Sequence, residues 1–146
     1  MRVSIFAGLP MLLVGIGVSY LAKGLIDVQV ATQLQSASTT IAAVLFVLLS
    51  AVLLGMGAGL VIHWIFTFAN HYLAFVSEAI LAFGLIFIGI GVAVGSGNVW
   101  TGVQAFFTFL TASIVLLLAS FVTLFGGITQ GIVTILKHVK RRLKRR

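Results

Sequence analysis

Four stretches of this chain, at about 5–28, 41–68, 72–94 and 103–125, stay apolar for at least the roughly 20 helical residues that a hydrocarbon core requires. In lipid a backbone must satisfy its own polar groups, and a helix does so within one segment. With 61% hydrophobic and 8% charged residues in 146, a soluble domain of this size could not hide so much apolar surface. The sequence therefore predicts an all-α integral membrane protein. It has about four transmembrane helices, arranged as two hairpins, and a C-terminal basic amphipathic helix.

The punctuation between the runs is polar or glycine-rich. Pro10 lies in the early turns of the first run, where its missing amide costs least. Residues 29–40, QVATQLQSASTT, lack apolar periodicity and read as a polar connection. A tight break is expected at Asn70-His71, a flexible turn at 95–102, and a bend or break at Gly126-Gly127. That last break divides the chain into a transmembrane domain, 1–127, and a juxtamembrane tail, 128–146. The run after Met1-Arg2 is longer than a signal-peptide core and reads as a retained helix.

The cations are concentrated at one end. Of 9 Lys and Arg against 2 acids, seven fall between Lys137 and Arg146: Lys137, Lys140, Arg141, Arg142, Lys144, Arg145 and Arg146. Between and before them Ile128, Ile132, Ile135, Leu136, Val139 and Leu143 recur at helical spacing. Such a helix can lie in the interface plane, with its cations toward anionic lipid, or meet the phosphates of nucleic acid. No aromatic residue is interleaved among the cations, which argues against stacking on bases. The bland counterpart is a stop-transfer anchor that only fixes orientation.

Lys and Arg near membrane ends are retained in the cytoplasm. An even number of spans puts Arg2 and the tail on one side, with Lys23 alone near the other, so both termini are expected in the cytoplasm, or facing the interior of a virion. Trp64, Phe66, Phe68 and Tyr72 would then form an aromatic cluster at the cytoplasmic interface, and Trp100 would mark the opposite one.

Two short matches suggest an internal repeat. Gly-Ile-Gly-Val occurs at Gly15 and again at Gly89, and the pair Gly55, Gly59 recurs as Gly127, Gly131 about half a chain later. Hairpins 1–72 and 73–146 would be related as a parallel repeat. The spacings Gly55-x3-Gly59, Gly91-x3-Gly95 and Gly127-x3-Gly131 each place two glycines on one helix face, which lets another helix approach within the bundle or from another copy. Ser77, Thr108, Thr111, Ser113, Ser120 and Thr123 are placed to add interhelical hydrogen bonds.

An acid inside a span is costly and marks a candidate polar site, and Glu78 is such an acid. His71 precedes it by seven residues on the same helical face, and His63, near the end of the second run, is within reach of it. Two readings apply: a neutral glutamate hydrogen-bonded within the bundle, or a proton or cation site.

Other chemistry is excluded more firmly. With no cysteine, there is no thiolate metal site, thiol nucleophile or disulfide. Glu78, His63 and His71 lack a metal-motif spacing, so no metal, haem or other cofactor is expected. Ser96, between Gly95 and Gly97, is a membrane thickness from any histidine, too far for a nucleophile and its base. No catalytic residue is assigned.

These residues suit a non-enzymatic structural or accessory membrane protein that associates with itself or with a larger assembly, its tail on anionic lipid or nucleic acid. A membrane-embedded viral coat protein would have this layout. In being small, hydrophobic and basic at the carboxyl end, the chain also resembles phage holins, which implies a pore-former. A small ion or proton transporter centred on Glu78 is a third expectation.

Overall fold

The computed structural model describes residues 3–32 and 36–145. Met1, Arg2, residues 33–35 and Arg146 lie outside the described residues, so Arg2 and Arg146 of the cation argument are not placed. The chain is an all-α membrane fold of four helices, α1 (Val3–Thr32), α2 (Ala37–Phe66), α3 (His71–Gly95) and α4 (Val99–Lys144). All four are long and apolar enough to cross a membrane.

Local chemistry sets the helix starts. Ser36 caps α2, its Oγ accepting from the Thr39 amide at 3.3 Å. Asn98 caps α4 by accepting from the Trp100 amide at 2.9 Å. Between α3 and α4 the chain reverses over three residues, and Gly97 takes φ 66°, which glycine adopts without a Cβ penalty.

Two expectations about punctuation are corrected. The connection expected at 29–40 is largely helical: α1 continues through Thr32 and α2 begins at Ala37. Gln is a good helix former, and the hydroxyls of Thr39 and Thr40 bond the Ser36 carbonyl at 2.9 and 3.2 Å, drawing this polar stretch into the first turn of α2. Nor do Gly126 and Gly127 interrupt α4, which is helical for 46 residues. Two helical glycines cost about 1 kcal/mol each. That is less than exposing broken backbone hydrogen bonds beside lipid.

The helices pack in the order α1, α2, α4, α3. Helix α2 lies against both α1 and α4, and α3 lies against α4. Helices α2 and α3 barely meet, and α1 has no close backbone approach to α3 or α4. Close contacts give the directions: Gly8 meets Gly57 and Val61, Gly89 meets Phe109, and Gly55 meets Thr108. Consecutive helices are therefore antiparallel, α2 and α4 run parallel, and the start of α1 and the end of α4 share one end of the bundle. Exchanging hairpin α1–α2 with hairpin α3–α4 leaves this order unchanged. Gly15 packs on Leu54 of its own hairpin, and Gly89 on Phe109 of its own.

Helix α2 occupies the centre because its glycines alternate between neighbours. A Cβ at Gly55 would stand 2.6 Å from Thr111 Cβ, and one at Gly59 2.8 Å from Val115, both on α4. One at Gly57 would stand 2.9 Å from the Gly8 carbonyl on α1. The run GMGAG thus serves two interfaces at once, drawing in backbones that lipid provides no hydrophobic force to unite.

Candidate functional site

Helices α2 and α3 are joined by residues 67–70 and then diverge, because α4 packs between them. Just inside this fork His63 Nδ1 lies 2.6 Å from Glu78 Oε1. Glu78 is fully buried, while the His63 side chain is 22% exposed. The second carboxylate oxygen, Oε2, has no hydrogen-bond partner among the described residues. At the mouth of the fork, Thr67 Oγ1 donates to the Trp64 carbonyl at 2.6 Å, and Trp64 meets Phe68 edge-on at 5.4 Å.

His71 does not join this pair. It opens α3, and its Nε2 lies 3.1 Å from Gln130 Oε1 of α4, where Gly127 leaves room for the His71 Cβ. Among the described residues no group of three His, Cys, Asp or Glu side chains could hold a metal. His63 and His71 nevertheless line one cavity of about 560 Å³ at the end of the bundle where α1 begins. Ser4 of α1, Thr67, and Thr123 and Gln130 of α4 complete its polar lining. Glu78 lies behind His63, outside that lining.

At the opposite end the structure reveals a second polar cluster that the residue patterns did not point to. Gln104 Nε2 of α4 donates to Ser19 Oγ of α1 at 2.7 Å and to Ser50 Oγ of α2 at 3.0 Å. Ser50 in turn donates to the Val47 carbonyl at 2.8 Å. One amide thus ties together three helices, two of which, α1 and α4, have no close backbone approach. A cavity of about 390 Å³ opens beside it, lined also by Lys23 and Asp27. The signal in the sequence was a lone amide, Gln104, near the start of an apolar run.

Five of the six hydroxyls expected between helices do something else. Thr108, Thr111, Ser113, Ser120 and Thr123 each donate to a carbonyl three or four residues back on α4 itself. Back-bonding satisfies a hydroxyl in a dry setting without a partner helix.

The candidate packing glycines divide. Gly55 and Gly59 face α4 and Gly127 faces His71 of α3, all inside the molecule, whereas Gly91, Gly95 and Gly131 have open space where a Cβ would stand. The shared spacing of Gly55-x3-Gly59 and Gly127-x3-Gly131 therefore conceals different surroundings.

Beyond Gly127 every described residue of α4 is exposed. Lys137, Lys140, Arg141, Arg142, Lys144 and Arg145 stand on this free helix, mostly opposite the stripe from Ile128 to Leu143. The tail continues the fourth span without interruption. No protein-family model, curated protein or solved structure matches the chain.

Proposed function

We propose that this chain is a non-enzymatic structural or accessory membrane protein whose bundle holds a basic helix out from the cytoplasmic face to meet an anionic partner. The observation that carries the reading is the continuity of α4 through 46 residues. At about 1.5 Å per residue that helix is roughly 69 Å long, against a hydrocarbon core of about 30 Å. A short helix end would suffice to fix topology.

The same continuity favours one class of partner. Measured from the start of α4 at Val99, Lys137 to Arg145 lie about 57–69 Å along the helix axis, against about 40–45 Å for a bilayer with its headgroups. Attraction to the bilayer's own headgroups fades within a Debye length of about 8 Å. Cations held beyond that distance are better placed for an anionic polymer that comes to them, and phosphate contacts alone suffice where no aromatic is present to stack on bases. A membrane-embedded coat protein facing packaged nucleic acid is the concrete version.

The order α1, α2, α4, α3 closes no ring, so a pore would need several copies, and α2 and α3 carry no polar side chain between Ala51 and Ile62 or between Ala79 and Val94 to line one, which weakens the holin-like reading. Gly91, Gly95 and Gly131 remain free for assembly with other copies. The test uses full-length protein in nanodiscs of neutral lipid, titrated with a short fluorescent DNA duplex and, separately, with anionic vesicles. Duplex binding that weakens steeply with salt supports the reading. Binding to the vesicles alone moves the partner to lipid, and binding to neither leaves the tail as a topology anchor.

A further inference from the structure

We infer that His63 and Glu78 form a binding site for one proton, loaded from the cavity at the end of the bundle where α1 begins. This is independent of the tail's role. It rests on three observations that meet at one place. Glu78 is fully buried and, among the described residues, hydrogen-bonded on one oxygen only. His63 supplies that bond through Nδ1 at 2.6 Å. And His63, unlike Glu78, lines the cavity, with Nε2 unpartnered among the described residues.

The arrangement separates the group that stores the proton from the group that exchanges it. Without the extra proton, Nδ1–H donates to a carboxylate oxygen and the Nε2 lone pair is open to the cavity. A proton delivered by water adds to Nε2, and the Nδ1 proton passes to Oε1. The product is a neutral carboxylic acid whose Oε1–H donates to Nδ1, beside a neutral imidazole carrying its proton on Nε2. One proton has been gained, the ring has changed tautomer, and the single hydrogen bond between the residues serves both states without movement of heavy atoms. The loaded form also removes a negative charge from a place that offers Oε2 no donor.

The surroundings contain little that would compete. From α3 the titratable group at the cavity is His71, which is bound to Gln130. The α1 lining is Ser4 and Ala7, and the α4 lining is Val122, Thr123, Gly126 and Gln130, none of them titratable.

The test takes full-length protein in neutral-lipid nanodiscs from about pH 9 to about pH 4, a span that brackets ordinary carboxyl and imidazole titration. Infrared difference spectra should show a carboxylic-acid carbonyl band on acidification that is missing in Glu78→Gln. Nitrogen NMR of the wild-type imidazole should show His63 switching from the Nδ1–H to the Nε2–H tautomer over the same interval, a readout that needs no variant to fold. In His63→Phe the band should persist while its exchange with solvent slows about a hundredfold, the scale of a lost acid–base group. The inference fails if His63 becomes doubly protonated while Glu78 stays ionised, if the tautomer never changes, or if His63→Phe exchanges at the wild-type rate.

Discussion

Gly55 on α2 and Thr108 on α4 pass so closely that a Cβ added to the glycine would stand 2.5 Å from the threonine's carbonyl oxygen. Backbone, not a flexible side chain, blocks that space. The α2–α4 contact is the joint between the two hairpins, so a methyl group there must push the hairpins apart.

Gly55→Ala should therefore destabilise the bundle by about 1–3 kcal/mol, the usual range for overpacking. Gly91→Ala, with open space where its Cβ would stand, should be neutral or stabilising by up to about 1 kcal/mol. Unfolding in mixed micelles on addition of a denaturing detergent measures both, and equal losses would contradict the assignment of Gly55 to the joint.

Gln104→Leu removes the donor that joins Ser19 and Ser50. Interhelical hydrogen bonds in membranes average about 0.6 kcal/mol and reach about 1.7, so this loss should be about 1–2 kcal/mol. Ser19→Ala should cost less, because Ser50 still accepts. A cysteine crosslink between α1 and α4 at this end should form more slowly in Gln104→Leu than in wild type.

Replacing Lys140, Arg141, Lys144 and Arg145 by Gln should flatten the dependence of duplex affinity on salt, by a slope of about 0.9 for each cation that met a phosphate. Ile132→Ser with Leu136→Ser should leave duplex binding intact and impair adsorption to vesicles. An unchanged slope in the fourfold variant would show that these cations do not carry the binding.

Spin labels at the exposed positions Ile114 and Leu143 should lie about 44 Å apart if α4 is continuous, and about 31 Å apart if the tail turns at right angles at Gly127 to lie on the membrane, at about 1.5 Å per residue. A distance near the shorter value would return the tail to the interface plane.

Reporter fusions should place both termini in the cytoplasm and an insertion among residues 33–35 on the opposite side, following the cations. A cytoplasmic signal from that insertion would overturn the orientation.

The sequence by itself determined the number of membrane-spanning segments, because apolar length alone settles what a backbone can do in lipid. It also placed Glu78 within reach of His63, since a short connection after the second run brings the end of one helix beside the start of the next. What only the tertiary structure decided is which neighbours each helix takes. Glycine spacing records that a face is small, not what covers it, so Gly55-x3-Gly59 and Gly91-x3-Gly95 look alike although the first is packed against α4 and the second is open. Gln104 is legible as a lone amide, yet its partners Ser19 and Ser50 belong to two other helices, and no periodicity along one segment encodes a meeting of three. Nor could local propensity foresee that α4 would continue through Gly126 and Gly127. A pair of glycines is only a small penalty, and the backbone hydrogen bonds on either side of it outweigh that penalty.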